Sequence, residues 1–238
     1  MEKFDFETVN RLLGIAESFK APEAIMDFIL NKDKRRMKFR EFLQVSTDMS
    51  FDWFHEYFES EQSDRKHKKQ DFTPQTVATI LNRIVGGNHH RYFEPAAGTG
   101  GVVITRWWQD CLKESPMVYM PHEHFYYCEE LSERAIPFLL FNLAIRGMNA
   151  IVWNGDSLSR ECRGVFLIEN PQDDVLGFSD INVMPYNDDV QKAFNVSVWD
   201  GDHYPEHTET DLNEWAFNVT HNEKLKKGWG DLFARVEK

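Results

Sequence analysis

Cysteine is scarce in this chain, three of 238 residues, and Cys111, Cys128 and Cys162 form neither a Cys-x-x-Cys pair nor an even-numbered framework. That scarcity argues against a disulfide scaffold and against a cysteine-built zinc site, and it fits a reducing, cytoplasmic setting. Long apolar runs are lacking as well. The longest, Ala135 to Ile145, is interrupted by Asn142 and falls short of the ~18 residues of a membrane span. The acidic stretch Met1 to Asn10 has no signal-like apolar core. A soluble protein with no membrane partner is expected, and in that setting the sequons at Asn195 and Asn218 carry no meaning.

Positive charge is the third thing in short supply. The formal net charge is −12, and its distribution is uneven: residues 1–70 carry 13 basic and 14 acidic side chains, residues 71–159 carry 6 and 9, and residues 160–238 carry 8 and 16. A duplex-binding surface brings positive charge to phosphates. Only Lys32 to Arg40 (KDKRRMKFR) and Arg65 to Lys69 (RKHKK) qualify locally, and solvated helix faces or loops would read the same way. A chain this acidic that handles DNA must use those runs or borrow a basic partner.

What is present is a change of rhythm near residue 71. Before it the pattern is helical, with Phe4, Val9, Leu12, Leu13 and Ala16 at three-to-four spacing and a second stripe of Phe51, Phe54, Tyr57 and Phe58. Aromatics at helical period read as core rather than as a base-stacking surface. After it, strands and helices alternate: a helix in "TPQTVATILNRIV" with Pro74 in its first turn, then "RYFEP", "VVITRWWQDCLKE", "HFYYCEE", "SERAIPFLLFNLAIRG" and "AIVWNGD". A βαβαβ order argues for a parallel, doubly wound Rossmann-like sheet whose ligands sit at the carboxyl ends of the strands. The expected layout is an N-terminal helical region, 1–70, an α/β domain, 71–200, and an acidic C-terminal extension, 201–238.

Three strand ends on that sheet carry chemistry. Gly98 and Gly100 in "FEPAAGTGG" permit a sharp turn and close approach of a ligand, and the helix opening near Gly101 aims its N–H groups at the same place. Glu130 ends the second strand, where an acceptor-only carboxylate suits the two hydroxyls of a ribose; Asp156 and Ser157 end the third, where a carboxylate and a hydroxyl suit an adenine edge. Glu130 follows Gly98 by 32 residues rather than the ~20 of the dinucleotide fingerprint. The ligand is therefore expected to be another adenosine-bearing molecule.

The order "DFTP" (Asp71 to Pro74), "FEPAAGTGG", "CEELSERA" with Asn142 in the next helix, and "NGDSL" resembles the modification subunits of type I restriction systems. These are S-adenosylmethionine-dependent adenine-N6 DNA methyltransferases, and the resemblance covers roughly Phe51 to Pro171. It implies a methyltransferase fold behind a small helical cap. In the sites it implies, Thr73 and Pro74 border the methionine end of S-adenosylmethionine. Glu94 and the loop Ala96, Ala97, Gly98, Thr99 and Gly100 cradle the cofactor, Glu130 holds the ribose, and Asp156 with Ser157 meets the adenine.

Family members continue with a strand ending in Asn-Pro-Pro-aromatic, in which the ring stacks the flipped base while the Asn side chain and a proline carbonyl accept from N6. Here "VFLIEN" is followed by "PQDD": Asn170 and Pro171 match, while Gln172 and Asp173 replace the second proline and the aromatic. Stacking that is worth about 1–3 kcal/mol per base has no ring in its usual place. Asn-Pro-x-Asp-Asp between two apolar runs also reads as a hairpin turn. "NVMPY" (Asn182 to Tyr186) supplies Asn, Pro and Tyr in a different spacing, and His203 and His207, four apart around Pro205, are poorly set for a metal. Three functions remain open: a DNA adenine methyltransferase that reaches DNA through a partner subunit, a catalytically silent methyltransferase-fold binding protein, and an acidic decoy of a nucleic-acid-acting protein, of the kind a phage or mobile element encodes.

Overall fold

The computed structural model describes residues 4–63, 73–85, 90–114 and 118–210. The basic run Arg65 to Lys69, Asp71, Phe72, the sequon at Asn218 and the acidic stretch from residue 211 lie outside the described residues. Within them the helical pattern of the first part becomes α1 (Phe6–Leu13), α2 (Ala21–Ile29), α3 (Lys32–Leu43) and α4 (His55–Ser63). Their ends obey local chemistry. Asp5 caps α1 by accepting from the Thr8 N–H at 2.9 Å, Gly14 closes it with φ 71°, and Asn31 caps α3 by accepting from the Lys34 N–H at 3.1 Å.

The alternating part follows as α5 (Gln75–Val85), β1 (Arg91–Glu94), α6 (Gly101–Glu114), β2 (Phe125–Glu130), α7 (Ile136–Ile145) and β3 (Ala150–Asp156). β1, β2 and β3 are neighbours and parallel, with Arg91 beside Phe125 and Tyr126 beside Ala150. This is the Rossmann-like half that the pattern predicts. All ten residues of α7 are buried, as befits a helix apolar on every side. It lies between the sheet and the helical cap, with Phe28, Phe39, Phe42 and Phe54 packed on Phe141 and with Phe54 and Phe58 on Phe138. The aromatic stripe is thus core: Phe54, Tyr57 and Phe58 are buried, and Phe51 is half-buried against the same cluster, with Trp53 buried beside them.

The parallel order ends at β3. β4 (Glu161–Glu169) returns antiparallel along β3, with Ile168 beside Ala150 and Val165 beside Trp153, and β5 (Asp180–Val183) pairs antiparallel with β4. The sheet order is β1-β2-β3-β4-β5, with β6 (Val198–Trp199) on the lower part of β4 and α8 (Asp188–Ala193) before it. The reason is connection length. Only Ser157 to Arg160 separate β3 from β4, whereas a parallel return needs a crossover of about a dozen residues or more. Arg160 pins this tight turn: at φ 61° it donates to Glu129 Oε1 at 2.7 Å and lies 4.2 Å from the Trp153 ring centroid.

One core unites the cap, α6, α7 and one face of the sheet; the other face carries a smaller cluster of Phe125, Ile151, Trp153, Val165 and Leu167 under Val190 and Phe194. Residues 201–210 fold back onto the cap. Arg35, fully buried on α3, grips Glu209 with both terminal nitrogens at 2.8 and 2.5 Å, and Lys32 donates to Asp180 at 2.7 Å. The basic run of α3 is therefore partly turned inward, onto the chain's own acids. Cys111, Cys128 and Cys162 are buried thiols, and among the described residues no helix is long and apolar enough to cross a membrane.

Candidate functional site

The carboxyl tips of β1, β2 and β3 meet, and they are tied to one another by hydrogen bonds. Past Glu94 the chain stays paired with β2 through Ala97 N–H to Glu129 O at 2.9 Å, then turns, with Gly100 N–H to Ala97 O at 2.9 Å. Gly98 (φ 57°) and Gly100 (φ 107°) take conformations that suit glycine, and a Cβ on Gly100 would come within 3.1 Å of Leu139. Gly98 N–H donates to one Glu130 oxygen and Ser132 N–H to the other, both at 2.7 Å. Ser157 Oγ reaches across to Pro95 O at 3.0 Å.

The charges at these tips differ in setting. Burial raises the Glu94 carboxyl above the usual range, against the lowering effect of the Tyr92 hydroxyl that donates to it at 2.6 Å. Asp156 is held below the usual range by the Leu158 N–H, with help from Ser159. Two apolar side chains that sequence reasoning passed over stand exposed beside these acids, Leu131 (55%) directly after Glu130 and Leu158 (94%) after Asp156 and Ser157. A large apolar residue immediately after each acidic tip was their signal. Asn154, also unremarked, ties the second and third tips by donating to Glu130 O at 2.8 Å, and Tyr204 OH in turn donates to Asn154 Oδ1 at 3.0 Å.

Behind the turn lies a buried polar group of Asp52, Thr99, Asn142 and Arg146. Asn142 was visible as the polar residue inside the longest apolar run, and Asp52 as the first of two acids in "FDWFHEYF". Nothing in either stretch says that the two meet at Thr99.

Of the residues singled out from the sequence, Glu94, Ala96 to Gly100, Glu130, Asp156 and Ser157 are brought to one end of the sheet. Thr73 and Pro74 are exposed ahead of α5, which touches the start of α6 through Asn82 Nδ2 to Val102 O at 3.3 Å. Asn170 and Pro171 are not brought there. Because β4 runs backwards, they lie at the far end of the sheet, about 20 Å of strand away at ~3.3 Å per residue. Asn170 is buried, and it is a turn residue: its N–H donates to Asn149 Oδ1 at 2.7 Å and its side-chain amide to Gly147 O at 3.0 Å and Asp174 O at 2.8 Å. Asp173, where an aromatic would stand, pairs with His122 at 2.5 Å.

The second Asn-Pro-Tyr candidate is likewise committed to structure. Asn182 Oδ1 accepts from the Glu209 and Thr210 N–H groups at 2.6 and 2.9 Å, and the Tyr186 ring stacks on His203 at 3.9 Å. His207 bonds to Glu209 instead of joining His203.

A family model described as N-6 DNA methylase matches residues 47–228, more than half of the chain. No curated protein and no solved structure matches it.

Proposed function

The chain belongs to the N-6 DNA methylase family, and we propose that it is an S-adenosylmethionine-binding relative of type I modification subunits that does not hold the target adenine by itself. The residues at the three tips fit such a cofactor. Glu130 has two oxygens and four lone-pair positions; Gly98 and Ser132 take one on each oxygen, which leaves an acceptor on each for the ribose hydroxyls. Leu131 and Leu158 offer apolar surface to the adenine faces, and Glu94 offers negative charge to a ligand that carries a sulfonium and an ammonium group. When bound, the cofactor supplies an electrophilic methyl group; the chain's own residues here orient and neutralise it.

The observation that carries the second half of the proposal is the antiparallel β4. A base held by Asn170 would lie at the opposite end of the sheet from Glu130. Transfer would then require base-holding groups from a partner chain, and β1, whose strand partner among the described residues is β2 alone, favours a partner subunit that completes the sheet there and contacts DNA. The test is titration of S-adenosylmethionine by calorimetry followed by an assay for labelled methyl in adenine-containing DNA. Binding without transfer by the isolated chain is the expected result. Transfer by the isolated chain overturns the silent reading, and absence of binding overturns the cofactor site and leaves the acidic decoy.

A further inference from the structure

Thr99 is held at two atoms by two elements remote in sequence. Its hydroxyl donates to Asp52 Oδ2, across 47 residues, and its carbonyl accepts from Asn142 Nδ2 at 2.8 Å. The same Asn142 amide donates to Asp52 Oδ1 at 2.7 Å, and the Phe54 N–H joins it there at 2.9 Å. Arg146 fixes the orientation of Asn142 from the other side, donating to its Oδ1 at 2.9 Å and to its backbone carbonyl at 2.7 Å. Since a guanidinium can only donate and a carboxylate only accept, the Asn142 amide has one orientation available. Arg146 is itself tied to the cap, donating to Met49 O at 3.0 Å and Phe51 O at 2.6 Å beneath the Trp53 ring.

A buried carboxylate is an expensive way to fill space. Burial raises the Asp52 carboxyl, the opposing effects being its bonds to Thr99, Phe54 and Asn142 and the charge of Arg146, and an apolar side chain of similar size would serve packing as well or better. What the carboxylate does that an apolar group cannot is accept from Thr99 while Asn142 holds the Thr99 carbonyl. The turn is thereby fixed from its buried side, where Thr99, Asp52 and Asn142 all lie. Gly101, at its end, lies against the same segment, a Cβ there being 3.9 Å from His55 Nδ1 and 4.0 Å from Asp52 Oδ2.

We propose that Asp52 is a positioning residue for the glycine turn: with Asn142 it clamps Thr99, holding the Gly98–Gly101 backbone in its ligand-ready shape before any ligand arrives, so that the helical cap is part of the cofactor site. Preorganisation matters because ordering a glycine-rich loop on binding subtracts from affinity. The affinity part of this proposal rests on the cofactor reading above; the preorganisation of the turn does not.

Two readouts separate them. The first is amide hydrogen exchange in the ligand-free protein. Thr99→Val removes the hydroxyl at constant size and Thr99→Ser retains it. Thr99→Val and Asp52→Ala should each speed exchange of the 98–101 amides by about tenfold or more, the loss of a hydrogen bond to a charged group, with β2 and β3 amides unchanged. Thr99→Ser should restore slow exchange, and the double variant Asp52→Ala/Thr99→Val should be no worse than either single one. The second readout is S-adenosylmethionine titration, in which the same variants should lose about tenfold in affinity and Thr99→Ser should not. Unchanged exchange at the turn in Thr99→Val, or an equal rise across the whole sheet, overturns the proposal. If Asp52→Ala does not fold, the Thr99→Val and Thr99→Ser pair decides. If the native chain shows no binding while the exchange pattern appears as described, the cofactor reading fails and the clamp stands.

Discussion

The two ends of the sheet are built from similar residue types put to opposite uses. At one end Gly98, Gly100, Glu130 and Asp156 gather at three parallel tips, with Leu131 and Leu158 exposed beside them. At the other, Asn170, Asp173, Asp174 and Gly177 close a turn in which Asn170 is buried and satisfied by neighbouring backbone. A motif's chemistry therefore depends on which end of a strand delivers it, and one antiparallel strand decides that here.

The sharpest contrast between the ends comes from substitution at the tips. Glu130→Ala removes the acceptor of two backbone N–H groups, and Gly98→Val forces a β-branched side chain into positive φ. Each is expected to weaken S-adenosylmethionine binding by about a hundredfold or more, the first from loss of the two charge-assisted bonds proposed to the ribose hydroxyls and the second from strain of similar size in the turn. Calorimetry checks it, and retained affinity in both would erase the functional difference between the ends.

Asn170→Ala should do the reverse. It strips the side-chain donors from the buried Gly147 carbonyl and the partly buried Asp174 carbonyl and is expected to cost about 2 kcal/mol of stability, roughly 4–8 °C in Tm, with cofactor affinity unchanged. A thermal melt beside a titration separates the two effects.

A smaller effect is expected from pH. Glu94 titrates above the ordinary carboxylate range because it is partly buried, and a cationic ligand favours its ionised form. Affinity should therefore rise as pH increases through its raised pKa and fall on acidification. Glu94→Gln should flatten that profile and weaken binding severalfold, about 1 kcal/mol. A pH-independent native Kd would remove Glu94 from the site.

The last comparison predicts no gain at all. Gln172→Pro with Asp173→Phe restores Asn-Pro-Pro-aromatic in sequence, yet it should yield no methyl transfer, because the rebuilt loop stays at the wrong end of the sheet. Labelled methyl in DNA from that variant would show that β4 runs the other way.

Much of this was legible beforehand. The change of period near residue 71, the glycine turn and the acids at the second and third tips are local patterns, and β1, β2 and β3 formed where alternation and turn chemistry indicated. The direction of β4 was not read from the sequence: the strand "VFLIEN" was plain, but the four-residue link that excludes a crossover shows only once β4 is seen to open at Glu161. The inward use of α3 was hidden, since Lys32 and Arg35 read as solvent charges until Asp180 and Glu209 came to meet them.

By itself the sequence determined which segments are helix or strand and which residue types end them, because periodicity, capping and glycine conformation act over a few neighbours. Only the tertiary structure decided that Asp52 and Asn142 would share Thr99, and that Asn170 would face away from Glu130. Those relations depend on strand direction and on packing between residues dozens of positions apart, where many sequences satisfy the local rules and one arrangement buries the core with its polar groups paired.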